Sequence, residues 1–307
     1  MRTMVMTGGS SGFGRLALSQ LARNGSRILV GARGTGPEGA TTLPLDLSHL
    51  ASVRAFADRV GNEIGGAPID ALILNAGLHG TDLEARSPDG FEMTFATNHL
   101  GHYLLLRLLL PRLAGEAAVV ITTSGTHDPA EKTAFPVPRH ADAALLAHPE
   151  RDPGFDRSSP LKASRALYAA SKLANVLTAR RLARLAAEEG RGWKVFAFCP
   201  GEVPGTRLTR DYPMVPRLAW RFAGALAGTG PSVARLMGVT RPQEAAAALV
   251  GLVDGDIRPP EGQVYAAVRK GAITWPPLSE LARRDDVADA LWRDSEALVG
   301  LSAAASR

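Results

Sequence analysis

Apolar and polar positions along this chain follow two alternating periods. Short apolar runs fall at 3–7, 27–32, 42–45, 71–74, 119–123, 194–198 and 263–267, each ending in a Gly, Pro, Asn, Asp or Ser signal or close to one. Runs this short, bounded by turn residues, predict buried strands. Between them the apolar residues recur at helical spacing, at 16–24, 51–64, 89–98, 100–113, 163–189, 218–227, 243–253 and 279–299. Strands alternating with helices predict βαβ units and a parallel sheet. No repeat or linker interrupts the pattern, so one domain over residues 1–307 is expected.

The longest helical run carries Tyr168-Ala169-Ala170-Ser171-Lys172. From Ala163 to Glu189 it contains no Gly or Pro, and its Leu and Ala spacing predicts an amphipathic helix. Tyr168 and Lys172, four apart, project from one face a turn apart. An ammonium so placed favours the phenolate, and a tyrosine tuned in this way exchanges protons near neutral pH. Tyr and Lys at this spacing also arise by chance, so the rest of the chain decides.

Gly8-Gly9-Ser10-Ser11-Gly12-Phe13-Gly14 directly follows the first strand and opens the first helix. Glycines permit close backbone approach, and a helix N-terminus offers free N–H groups to a pyrophosphate. Arg33 stands at the end of the second strand, where an acidic residue would hold the ribose hydroxyl of NAD and an Arg receives the 2′-phosphate of NADP. Asp46, Asn75-Ala76-Gly77 and Ser124 also stand at strand ends. Ligands of parallel sheets bind at those carboxyl ends, so the shared placement points to one site.

Composition narrows the class. The chain has 307 residues, 45% hydrophobic and 21% charged, with a formal charge of +5 and no dense basic run, which argues against nucleic-acid binding. Arg181, Arg184 and Arg191 read as a solvated helix face. The single Cys199 excludes an intrachain disulfide and suits a reducing, cytoplasmic setting, with a buried strand end as its place. No apolar run reaches the ~20 residues of a membrane span. His127, His140 and His148 lie in the stretch 126–159 without metal-ligand spacing, so no metal site is expected.

Two segments break the pattern. Residues 126–159 and 202–238 are long and Pro-rich, and both follow strand ends, as lids and substrate loops do. Tyr212, Met214, Val215, Leu218, Trp220 and Phe222 in the second would suit an apolar wall.

Together these motifs resemble the short-chain dehydrogenase/reductase family. Thr7 to Gly14 is similar to its glycine loop, Asn75-Ala76-Gly77 to its NAG segment, and Pro200-Gly201 to its PG turn. Asn98, Ser124, Tyr168 and Lys172 are similar to its catalytic tetrad. Asn98-His99-Leu100-Gly101-His102-Tyr103 and Ser124-Gly125-Thr126-His127-Asp128-Pro129 resemble the protochlorophyllide-reductase-like and retinol-dehydrogenase-like branch. The spacing of Ser124 from Tyr168, 44 positions, is wider than usual in the family.

The resemblance implies an α/β fold, a single Rossmann-type doubly wound parallel seven-stranded sheet with helices on both faces. With Arg33 at the end of the second strand and no acid there, the expected cofactor is NADP(H). Contacts to it would come from Gly8, Ser10, Ser11, Gly12, Phe13, Gly14, Arg33, Asp46, Leu47, Asn75, Ala76, Gly77, Tyr168, Lys172, Pro200, Gly201, Val203 and Thr206. Tyr168 would be the acid or base, Ser124 the group that steadies the substrate oxygen, Lys172 the ribose holder, and Asn98 the holder of a relay water. The expected reaction moves a hydride between nicotinamide and a small-molecule carbonyl or alcohol, of a bulky apolar or polycyclic kind. A sugar-nucleotide epimerase or dehydratase and a non-catalytic dinucleotide sensor stand as alternatives. Homodimer and monomer are both left open.

Overall fold

The computed structural model describes residues 1–204 and 214–301, with the side chains of 214–217 and 221 outside the description. The strands are β1 (Thr3–Thr7), β2 (Arg27–Ala32), β3 (Thr41–Pro44), β4 (Ile69–Leu74), β5 (Leu113–Thr122), β6 (Lys194–Cys199), β7 (Tyr265–Arg269) and β8 (Ala272–Thr274). The helices are α1 (Gly12–Arg23), α2 (Leu50–Ile64), α3 (Met93–Phe95), α4 (Gly101–Leu109), α5 (Ala143–Ala147), α6 (Pro160–Glu188), α7 (Met214–Gly228), α8 (Pro231–Leu236), α9 (Pro242–Asp254), α10 (Glu280–Arg283) and α11 (Asp285–Leu298).

The strands form one sheet in the order β3-β2-β1-β4-β5-β6-β7-β8. Every neighbouring pair is parallel except β7 and β8. Strand order reverses between β1 and β4, which opens a crevice at their carboxyl ends. The pleat sends alternate residues to opposite faces. Val5, Leu29, Leu72, Val119 and Val195 pack in one core with Phe56, Leu104, Leu173, Leu177 and Leu291. Met4, Met6, Ile28, Val30, Ile73, Val120 and Phe196 pack in the other with Leu18, Leu21 and Leu249. Both faces of the central strands are therefore covered, and the middles of those strands are apolar.

The eighth strand was not expected. Lys270 and Gly271 both have positive φ, 52° and 82°, and Arg269 pairs with Ala272 across them. Two left-handed residues make the tight turn that suits a hairpin, so the chain folds back antiparallel along the sheet edge. The run at 263–267 supplied only the first arm.

Three helical expectations also change. The reading of 89–98 and 100–113 as two helices is replaced by α3, a π-turn over Ala96–Leu100 and α4 in direct succession. Glu92 begins them, its carboxylate accepting from the N–H groups of Thr94 at 2.8 Å and Phe95 at 2.6 Å. The run at 279–299 is broken at Arg284, whose extended backbone separates α10 from α11. Helix α6 is amphipathic only in its last turns, because every residue from Leu167 to Ala179 is buried. Its Arg181 and Arg184 are more than a solvated face. Arg181 Nε lies 3.0 Å from Asp289, and Arg184 bonds Asp285 at 3.1 Å and Asp289 at 2.9 Å, tying α6 to α11.

Gly101 opens α4 against the loop after β3. A Cβ there would stand 2.1 Å from the Leu47 carbonyl oxygen. Gly101→Ala should therefore destabilise the fold by about 3 kcal/mol, the upper end of overpacking costs. Denaturant unfolding measures this, and an unchanged midpoint would contradict the packing.

Candidate active site

The carboxyl ends of the strands gather most of the sequence-predicted residues. Gly8 follows β1 with φ of 70°, and Gly12 opens α1 with φ of 57°. A Cβ on Gly8 would sit 2.6 Å from Ala76 N, and one on Gly14 would sit 2.2 Å from Gly8 O. Only hydrogen fits at either place, so the backbone of this turn passes directly over the Asn75–Ala76 step. The exposed Ser10 and the partly exposed Ser11 and Gly12 lead into the N-terminus of α1. This backbone cradle at a helix start fits a pyrophosphate. The Phe13 ring packs edge-on against Phe198, 6.4 Å between ring centroids.

Asn75 is fixed on three sides. Its N–H donates to Thr7 Oγ1 at 3.0 Å, its Nδ2 to Gly8 O at 3.1 Å, and its Oδ1 accepts from Thr122 Oγ1 at 2.9 Å. Ala76 N also donates to Thr7 Oγ1, at 3.1 Å. Three strand ends, those of β1, β4 and β5, are thus locked in register around the crevice. Gly77, next in line, is exposed.

Lys172 lies beneath this platform with 2% of its surface exposed. Its Nζ donates to Thr122 O at 3.2 Å and lies 5.5 Å from the centre of the Tyr168 ring. Among the described residues no carboxylate pairs with it. Burial pulls its pKa down to about 8. Asn98 is fully buried and spends its amide on structure. Its Oδ1 accepts from Leu78 N–H at 2.7 Å, while its Nδ2 donates to Leu78 O at 2.8 Å and Ser171 Oγ at 3.0 Å. Ser171 in turn donates to Tyr168 O at 2.7 Å. Ser124 stands just past β5, its Oγ accepting from Thr126 N–H at 3.4 Å.

Other predicted positions serve the rim. Arg33 is exposed past the end of β2, with no ion pair among the described residues. Asp46 Oδ1 accepts from Ser48 N–H at 3.0 Å and from Ser48 Oγ at 2.7 Å, shaping the turn that brings buried Leu47 against Gly101. Gly201 follows Pro200 with φ of 76°, and a Cβ there would meet Thr240 Oγ1 at 2.3 Å. Val203 is buried. Thr206 and Tyr212 lie outside the described residues, as do the side chains of Met214 and Val215. Leu218 and Phe222 of α7 are exposed, 51% and 71%.

Sequence reasoning missed the rings around Tyr168. His79 stacks on it at 4.8 Å and Phe135 lies tilted at 5.6 Å, with 5.5 Å between those two rings. Phe135 belongs to the segment 126–159, whose later part is anchored elsewhere: Ala141, Ala143, Leu146 and Ala147 are buried in the main core. Only contact order across the whole chain brings these rings together, and nothing local announces it. Thr7 and His102 read in the sequence only as members of motifs, with no role of their own, although the four-residue step places Asn98 and His102 on one helix face.

The buried ammonium gives a stability signature. Lys172 has a folded pKa of about 8 against an ordinary 10.5. Below pH 8 both states are charged and the burial penalty is complete. Between 8 and 10.5 the unfolded state binds more protons, so stability rises with pH. Relative to Lys172→Met, the unliganded protein should gain about 3 kcal/mol across that window, measured by denaturant unfolding. Parallel curves for the two proteins would contradict the burial of the charge.

Comparison with known proteins gives the site its context. Residues 2–132 match the family model described as short chain dehydrogenase. Dehydrogenase/reductase SDR family member 13 of Bos taurus is 33% identical over 322 residues, covering 98% of this chain and 74% of that protein. Polyprenol dehydrogenase of Mus musculus is 35% identical over 250 residues, covering 75% of this chain and 68% of that one. The crystal structure of an uncharacterised protein from Mycobacterium Paratuberculosis superposes with a TM-score of 0.66 at 28% identity, covering 98% of this chain and 94% of that one. The chain belongs to the short-chain dehydrogenase/reductase family and is an oxidoreductase of alcohol and carbonyl groups that works with a nicotinamide dinucleotide.

Proposed function

We propose that the protein is an NADPH-dependent ketoreductase or alcohol dehydrogenase for bulky, apolar substrates of the natural-product type. The observation that carries this reading is the Lys172 ammonium, buried 5.5 Å from the centre of the Tyr168 ring with no carboxylate partner among the described residues. A nicotinamide, when bound, supplies the hydride or accepts it. Tyr168 gives its hydroxyl proton to the carbonyl oxygen in reduction, or takes the alcohol proton in oxidation. Ser124 donates a hydrogen bond to the same oxygen as negative charge develops there. Lys172 holds the ribose and steadies negative charge on the Tyr168 oxygen. Asn98, whose side-chain amide is spent on Leu78 and Ser171, keeps a relay water near Lys172 through the remaining lone pair of its backbone carbonyl. Gly77 is exposed above this pair, and a Cβ there would reach ordinary contact with Lys172 Nζ at 3.6 Å and Asn98 Oδ1 at 3.8 Å.

Gly8, Ser10, Ser11, Gly12 and Gly14 take the pyrophosphate, the Asn75–Gly77 backbone lines the crevice, and Asp46 accepts from the adenine amine. Arg33 selects NADPH, because its fork grips a phosphate in two places and no acid stands there to bond a ribose hydroxyl. The apolar substrate preference is supported by the His79 and Phe135 rings at Tyr168 and by a relative whose name makes polyprenol its substrate.

Tyr168→Phe should lower turnover by about three orders of magnitude, the range of acid–base catalysis, while the cofactor dissociation constant stays near the wild-type value. Retention of most of the rate in a ketone-reduction assay would sink the role given to Tyr168. Arg33→Ala should weaken NADPH binding about tenfold and leave NADH binding unchanged, since one charge-assisted phosphate contact is lost. Titration of both cofactors checks this, and an unaltered preference would remove Arg33 as the reader.

A further inference from the structure

His102, between the glycine cradle and Asn98, has no part in the chemistry above. It is 2% exposed. Its Nδ1 lies 3.0 Å from Asn98 O, and its Nε2 lies 2.9 Å from Thr7 Oγ1. A carbonyl oxygen only accepts, so Nδ1 carries a proton and donates. Thr7 Oγ1 already accepts from the N–H groups of Asn75 at 3.0 Å and Ala76 at 3.1 Å. Both of its lone pairs are engaged, so its own proton points to Nε2, which accepts. The neutral Nδ1–H tautomer closes this chain of bonds. An imidazolium would aim a second N–H at an oxygen with no lone pair left. Burial acts in the same direction and pulls the His102 pKa down to about 4.

The two ends of the ring reach different machinery. The Thr7 end holds the Asn75–Ala76 step, over which Gly8 crosses with no room for a Cβ. The Asn98 end lies in the π-turn, and from Asn98 a path runs through Ser171 Oγ to the Tyr168 carbonyl on α6. We propose that His102 is a positioning residue with two separable arms, Nε2 setting the cofactor platform through Thr7 and Nδ1–H setting Tyr168 through Asn98 and Ser171. The kinetic side of this rests on the oxidoreductase reading, whereas the hydrogen bonding does not.

Two near-isosteric variants separate the arms. In His102→Asn the amide N–H occupies the place of Nδ1, which keeps the Asn98 bond and loses the Thr7 bond. In His102→Gln the amide oxygen occupies the place of Nε2, with the reverse result. The Asn variant should raise the NADPH dissociation constant about tenfold with kcat within about twofold of wild type, as expected for one lost buried bond. The Gln variant should lower kcat about tenfold with the dissociation constant within about twofold. If both variants merely lower the melting temperature, or shift the two constants equally, His102 has no separable positioning role. Nitrogen NMR of the histidine rings in the unliganded wild type tests the bonding alone. An Nδ1–H tautomer near neutral pH is expected, and an Nε2–H tautomer or an imidazolium overturns the proposal. Should wild type bind no nicotinamide dinucleotide, the oxidoreductase reading fails, and the tautomer decides for His102 separately.

Discussion

Placing an ammonium in a protein interior, with no carboxylate partner among the described residues, is the constraint on which this structure turns. Lys172 is surrounded by the ends of β4 and β5, the π-turn and its own helix, and Thr122 O is the hydrogen-bond acceptor it has among them. A buried charge with so little compensation is costly, and proteins keep such groups where function needs them. The surrounding backbone is built to tolerate it. Asn175 Nδ2 donates to the same Thr122 O at 3.1 Å, and Thr123 Oγ1 donates to Lys172 O at 2.7 Å. Strand β5 and helix α6 are thereby joined on both sides of the ammonium, which holds it facing the crevice rather than solvent.

The rigidity around that charge comes from ordinary packing carried to completion. The middle of α6 is covered on all sides, so small residues such as Ala169, Ala170 and Ala174 alternate with Leu173 and Leu177 to let neighbours approach. Its outer end is held differently, by arginines that meet acids on α11. Tyr103 adds a buried tie, its hydroxyl donating to Trp292 O at 2.8 Å while accepting from Arg107 at 2.6 Å. Exposed Leu218 and Phe222 on α7 place apolar surface in the segment read as a substrate loop.

The strand and glycine pattern was legible because it obeys local rules. A buried parallel strand must be apolar, and a backbone crossing needs Gly, so 3–7 followed by Gly8 to Gly14 carries its own explanation. The positions of Asn75 and Ser124 at strand ends follow from the same reading, and the helix that carries Lys172 one turn from Tyr168 was legible from its spacing. What escaped it depends on contacts distant in sequence. The rings of His79, Phe135 and Tyr168 come from three separate elements. The π-turn at Asn98 inserts a residue without any change in composition. Arg181 and Arg184 could be read only as surface until α11 arrived beside them. Strand β8 hangs on two left-handed residues, Lys270 and Gly271, of which only the Gly is a recognisable signal.

Isotope transfer tests the central claim most directly. The protein is mixed in the dark with a panel of bulky ketones and NADPH carrying deuterium on the transferring carbon, and the products are read by mass spectrometry. An alcohol bearing deuterium on the former carbonyl carbon, with NADPH consumed in equal amount, is the predicted result. No ketone reduced with either nicotinamide cofactor, or an alcohol whose new C–H hydrogen comes from solvent, would contradict it.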